Sequence, residues 1–168
     1  MANYESVVIS NDFKVKNPKE FFNVFNELGF EYTCINNDNT VCIASYEQCW
    51  DSEHVVVIEK QTKKFVGVIT SWNIDCLSLE EWIELKKYNY KVEDLKEITV
   101  EEYIQTQLLD DSYCAIKETG NEKLRYNVGF AEVITKNNIK FFNLDQLVQL
   151  YVMEELSNTD KSETQFKV

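Results

Sequence analysis

His54 is the only histidine in a chain that carries five cysteines, Cys34, Cys42, Cys49, Cys76 and Cys114. A histidine-based triad must therefore use His54, and the nearest thiol, that of Cys49, stands five residues away across an expected loop. Nearness in sequence does not make a dyad. A lone histidine at the head of a valine run reads first as an edge or surface residue. A transition-metal site would have to combine this one imidazole with scattered cysteines or carboxylates, and no metal is expected. The cysteines are odd in number and show neither a CxxC nor a zinc-ligand spacing, so they read as free, mostly buried thiols. Cys34 and Cys42 flank a turn and could face each other across a hairpin, although a reducing compartment disfavours a functional disulfide.

The glycine-rich cradles of nucleotide sites, the HExxH zinc motif and the GxSxG elbow are all missing. "DNTVC" and "DLKEITVEE" lack the glycine and ligand register of a calcium loop. Adjacent carboxylates such as Glu80 with Glu81, Glu101 with Glu102, and Asp110 with Asp111 suggest acid/base work. With 29 acids in the chain such pairs arise by chance, and neighbours i and i+1 do not face each other on a helix. The expectation is a protein without catalytic activity and without a cofactor.

The distribution of charge is more informative. Seventeen Lys plus Arg against 29 Asp plus Glu give a formal charge of -12. A surface of that sign repels nucleic-acid phosphates and anionic membranes, and attracts a basic protein partner. From Asp75 to Asp111 eleven acids face only Lys86, Lys87, Lys91 and Lys96, so this stretch alone carries -7. Glu80, Glu81, Glu84, Glu93, Asp94, Glu97, Glu101 and Glu102 are the candidate partner-binding residues. If the stretch is helical, Glu80 and Glu84, or Glu93 and Glu97, lie one turn apart at about 5 to 6 Å. Such a row approximates a phosphate row, whose rise is about 3.4 Å along one strand. The same charges also suit a merely solvated helix face. Trp50, in the polar loop "EQCWDSE", reads either as an exposed interface anchor or as a buried plug of the hairpin end. Trp82, with Ile83 and Leu85 around it, should anchor its helix to a sheet.

These residues need a scaffold, and 168 residues are enough for one domain with a substantial core. Apolar residues at 44% and aromatics at 13% place the chain far from disordered composition. Residues 1–156 are expected to form one α+β domain, and "SNTDKSETQFKV", residues 157–168, a polar tail. No window approaches the roughly 20 apolar residues of a bilayer span, and the N-terminal stretch has no signal-peptide core, so a cytoplasmic location is expected.

"ESVVISNDFKV" predicts an opening strand. "NPKEFFNVFNELGF" predicts a helix with Asn17 as cap, Pro18 at its first position and Gly29 as stop. "FEYTCI", "TVCIASY", "HVVVIEK" and "FVGVITSW" read as a four-stranded antiparallel meander, with the valines 55 to 57 in a central strand covered on both faces. Ser78 with Glu81, and Thr99 with Glu102, stand in capping-box spacing before two further helices. "NYKVEDLKEI" between them reads as a short helical turn. "SYCAIKET" and "LRYNVGFAEVIT" around a "GNEK" turn, then "IKFFN", predict a second meander, and "NLDQLVQLYVMEEL" a last helix from Asn143. The fold class is thus α+β, with two antiparallel meanders and about four helices. Sheet edges and aromatic helices could pair two copies, though nothing in the sequence demands a dimer.

"KETGNEKLRYNVGFAEVITKNN" followed by "NLDQLVQLY", and "ISNDFKVKNPKEFF" near the start, resemble a family of small accessory proteins of Firmicute phages, plasmids and integrative elements. The matched segments, residues 9–29 and 117–151, cover about a third of the chain. Where the family often has Tyr after the asparagine, this chain has Asp12. In the "EKLRY" hairpin, Arg125 and Tyr126 should point to opposite faces, with Glu118 and Glu122 as carboxylates that Arg125 could reach; Arg125 is a further candidate binding residue. The resemblance implies an accessory gene of a mobile element, and such genes commonly encode inhibitors of host defence. It points to an inhibitor of a nucleic-acid-processing system, a CRISPR nuclease first, in keeping with an acidic, DNA-mimicking surface. The alternative is an immunity or antitoxin-like protein that neutralises one cognate toxin.

Overall fold

The computed structural model describes residues 4–30, 32–46, 54–69, 78–122, 126–143, 146, 149–150 and 152–153. In chain order these form β1 (Tyr4–Ser10), β2 (Phe13–Lys14), α1 (Pro18–Glu27), β3 (Cys34–Ile35), β4 (Thr40–Cys42) and β5 (Ala44–Tyr46). Then come β6 (Val55–Glu59), β7 (Phe65–Ile69), α2 (Leu79–Lys86), a 3-10 turn (Val92–Asp94), β8 (Leu95–Thr99) and α3 (Val100–Gln107). β9 (Tyr113–Glu122), β10 (Tyr126–Thr135) and β11 (Ile139–Asn143) follow. The strands make three antiparallel sheets, in the orders β11-β10-β9-β1-β5, β2-β4-β3 and β7-β6-β8.

The chain is therefore a mixture of helices and antiparallel sheets, but the layout differs from two meanders. The second meander is present as β9-β10-β11 and is widened by β1 and β5. The first is not: its strands divide among all three sheets. "ESVVISNDFKV" breaks into β1 and β2, and "TVCIASY" into β4 and β5, and each break moves the chain from one sheet to another. Ser10 and Ile43 form that corner. Ser10 N–H donates to Ile43 O at 2.8 Å, and Ile43 N–H donates to Ser10 Oγ at 2.8 Å. Asn11 extends the corner towards β9, with Ala115 N–H donating to its Oδ1 at 2.6 Å and its own Nδ2 donating to Tyr113 O at 3.2 Å. The Ser-Asn of "ISNDF" supplies side-chain bonds where the backbone ladder stops, which satisfies groups that burial would otherwise leave costly.

α1 begins as its sequence signals require. Asn17 Oδ1 accepts from Glu20 N–H at 3.3 Å, Pro18 opens the helix, and Phe21, Val24 and Phe25 are buried. The Phe21 ring stacks on that of Phe25, with centroids 4.4 Å apart, and on that of Tyr103 of α3, at 6.1 Å. This aromatic centre joins Val8, Ile116 and Ile134 of the five-stranded sheet to Val56, Val68 and Ile98 of the β7-β6-β8 sheet in one core. The opposite face of β7-β6-β8 has a second core, where Val57, Ile69 and Leu95 meet Trp82 and Ile83 of α2. β6 lies between β7 and β8, and both Val56 and Val57 are fully buried, as expected of a central strand covered on both faces.

Two further expectations change in part, and a third lies largely outside the described residues. Of "GNEK", Gly120, Asn121 and Glu122 are not a turn, because they continue β9 and pair with β1 on one side and β10 on the other, while Lys123 lies outside the described residues. The short helical turn expected in "NYKVEDLKEI" is present at Val92–Asp94, but Leu95–Ile98, at the end of that stretch, belong to strand β8. The fourth helix lies largely outside the described residues, although Gln146, Gln149, Leu150, Val152 and Met153 are helical. Asn143 and Gln146 form its cap, with Gln146 N–H donating to Asn143 Oδ1 at 2.8 Å. The tail from 157 also lies outside them. Among the described residues no helix is long and apolar enough to cross a membrane.

Candidate protein-binding surface

α2 is held at its start by the full capping box. Glu81 N–H donates to Ser78 Oγ at 3.3 Å, and Ser78 N–H and Oγ–H donate to Glu81 Oε2 at 2.8 and 3.0 Å. The backbone N–H of Ser78, and then its hydroxyl, hold the Glu81 carboxyl below the usual carboxylate range. The inner side of α2 is fixed by Trp82 and Ile83, which are buried. Its outer side presents Glu80, Glu81 and Glu84, all exposed. Trp82 is the sheet anchor the sequence led us to expect, and its ring also meets that of Tyr88 at 5.2 Å.

The 3-10 turn and β8 continue the acidic stretch along a sheet edge. Glu93 pairs with Lys91 at 3.7 Å, while Lys60 donates to the backbone oxygens of Glu93 and Asp94. Among the described residues β8 has β6 on one side and no strand on the other, so it lies at the edge of its sheet, and its Glu97 sits opposite Val57. Side chains alternate along a strand, so Glu97 faces the same side as Leu95, which belongs to the α2 core. α3 starts at once after β8 with the second capping box, in which Thr99 N–H donates to Glu102 Oε2 at 3.1 Å and Glu102 N–H to Thr99 Oγ1 at 3.2 Å.

The eight candidate acids are thus not one surface. α2 covers one face of the β7-β6-β8 sheet and α3 lies in the core on the other. Glu80, Glu81, Glu84 and Glu97 belong to the α2 side, and Glu93 and Asp94 to the head of β8. Glu101 and Glu102 open α3 and are half-buried. Glu81 and Glu102 are occupied as caps. Among the described residues, Glu80, Glu84, Asp94 and Glu97 are exposed carboxylates without an ion pair. Glu80 and Glu84 keep the expected one-turn spacing on α2. Glu93 and Glu97 do not, because a strand joins them. Farther on, Asp110 pairs with Lys136, and Asp111 with Lys14 at 3.9 Å.

Trp50 and Arg125 lie outside the described residues, as does Cys49. His54 is half-buried just before β6, and its Nδ1 has no hydrogen-bond partner among the described residues. No group of three or more His, Cys, Asp or Glu gathers among the described residues in a way that could hold a metal.

The burial of two acids was not read from the sequence, which named Glu118 only as a carboxylate within reach of Arg125 and did not single out Glu132. Glu118 and Glu132 are only 3% and 8% exposed, and each has an interaction partner. Glu118 alternates with Cys114 and Ile116, and Glu132 with Ile134, so strand periodicity alone puts both carboxylates on the core face. Comparison of the chain with protein-family models, with curated proteins and with solved structures returns no match.

Proposed function

We propose that this chain is a non-enzymatic binding protein that inhibits a host nucleic-acid-processing defence system, a CRISPR nuclease first, by presenting an acidic surface to a basic partner. The observation that carries the proposal is the set of exposed carboxylates Glu80, Glu84, Asp94 and Glu97 on and beside α2, which have no ion pair among the described residues. They sit in a segment, residues 78–111, with ten acids against four lysines. A cationic groove built for a nucleic-acid backbone attracts such a cluster over a Debye length of about 8 to 10 Å at moderate salt. Glu80 and Glu84, about 5 to 6 Å apart, fall near two phosphate steps of a strand at about 3.4 Å each. The resemblance to accessory proteins of mobile elements points the same way.

The test is capture of partners on tagged protein in an extract of its natural host, at low and at high salt, read by mass spectrometry. The proposal expects a basic nuclease or CRISPR effector that is retained at low salt and released at high salt. Recovery of a single small toxin, insensitive to salt, would replace it with the immunity reading. Recovery of no partner would overturn both.

A further inference from the structure

Cys34 on β3 and Cys42 on β4 stand directly opposite each other in the antiparallel register, with their Sγ atoms 2.7 Å apart. Directly opposed residues of an antiparallel pair share a face. Two residues along the same ladder, Asn36 N–H donates to Thr40 O at 2.8 Å, so Cys34 and Cys42 also occupy a hydrogen-bonded pair position. Such a position separates the Cα atoms by about 5.5 Å, inside the range of about 4.4 to 6.8 Å that a disulfide spans.

The register has little room to slip, because the turn between the two cysteines is tied to itself. Asn39 has a left-handed φ of 62° and its N–H donates to Asn36 O at 3.0 Å. Thr40 donates to Asp38 Oδ1 through its N–H at 3.2 Å and its hydroxyl at 2.6 Å. Both cysteines are half-buried and so within reach of a small reagent, whereas Cys114 is fully buried.

We propose that Cys34 and Cys42 form a thiol–disulfide switch, oxidised to an intramolecular disulfide by a small-molecule disulfide of the glutathione class. One protein thiol loses its proton and attacks a sulfur of the reagent, whose other half leaves as thiolate and takes up that proton. The second protein thiol, once deprotonated, attacks the protein sulfur of the mixed disulfide and expels the other half of the reagent, which is protonated in turn. One S–S bond forms in the protein and one breaks in the reagent; the two cysteines lose two electrons and two protons, and the reagent gains them. Burial, and then the neighbouring Cys34, push the Cys42 thiol up to about 11. The bond would tie β3 to β4 beside the exposed pair Tyr32 and Tyr46, whose rings meet at 6.1 Å.

The test incubates the folded full chain in buffers of oxidised and reduced glutathione, traps free thiols, and cleaves with a protease that cuts before aspartate. Asp38 lies between the two cysteines, so their peptides stay joined only through a disulfide, and fragmentation tells Cys42 from Cys49. The expected result is a Cys34–Cys42 link at a ratio of oxidised to reduced glutathione about tenfold lower than the unfolded chain in urea requires. The link should persist in Cys49→Ser and vanish in Cys34→Ser; the wild-type comparison stands even if a variant folds poorly. Glutathione adducts without a link, no reaction, or a link formed no more readily than in urea would each overturn the proposal.

Discussion

The indole of Trp82 lies so close to Gly67 that a Cβ on that glycine would stand 2.8 Å from both Cζ2 and Cη2, and 3.2 Å from the Tyr88 hydroxyl oxygen. Gly67 sits on β7 opposite Val57, so the contact fastens α2 and its outward carboxylates to the sheet. Gly67→Ala must push the ring away and should cost about 1 to 3 kcal/mol, read as a lower urea midpoint. Trp82→Ala should cost about 3 to 5 kcal/mol. If either change is neutral, α2 is not anchored in this way.

Ser78 and Glu81 give a prediction about acid. The folded-state value of Glu81 is depressed, so its contribution to stability is present above the ordinary glutamate value of 4.5 and is lost as pH falls through the lower folded value. The Glu81 carboxyl should titrate below 4.5 by NMR, and Ser78→Ala should raise its midpoint. The same substitution removes the cap and should cost about 1 kcal/mol at neutral pH. A Glu81 midpoint unchanged by Ser78→Ala would rule out the Ser78 hydroxyl as a cause and leave the backbone N–H alone.

Cys114 should be inert in the native protein. It is fully buried, and desolvation, then the charge of Glu132, push its thiol well above the ordinary cysteine range. At neutral pH it stays protonated and out of reach, so it should react with a thiol reagent only at the rate of unfolding. Glu132→Gln should leave that rate law intact, since burial is the larger cause. Labelling of Cys114 faster than unfolding would contradict the packing of β9.

Much of this scaffold could be read from local signals. The caps at Asn17, Ser78 and Thr99 act through short-range bonds that the sequence spells out, and the valines 55 to 57 announced a strand covered on both sides. β8 did not announce itself. Its buried residues, Leu95 and Ile98, are three apart, a helical spacing, yet in a strand that spacing sends them to opposite faces. Both faces of this sheet are covered, one by α2 and the other by α1 and α3, so each residue enters a different core. Leu95→Ala and Ile98→Ala should therefore each cost about 2 to 5 kcal/mol, and their effects should be nearly additive, since the two sites share no core. The sheet switches at Ser10 and Ile43 were likewise hidden, because the apolar pattern runs on through the corner while the hydrogen-bond partners change. The division of the acidic stretch between two sides of the β7-β6-β8 sheet follows from the same unseen strand.

The measurement that bears most directly on the proposed function is inhibition of a purified CRISPR nuclease by this chain and by a triple charge reversal, Glu80→Lys, Glu84→Lys and Glu97→Lys. These positions are exposed and carry no cap, unlike Glu81 and Glu102, so circular dichroism should show the variant folded. The account predicts that the native chain slows DNA cleavage at low salt, that added salt relieves the block, and that the reversed chain loses at least about tenfold in apparent affinity, a change of roughly 1.4 kcal/mol. Equal inhibition by the folded variant, or none by the native chain at low salt, would contradict it.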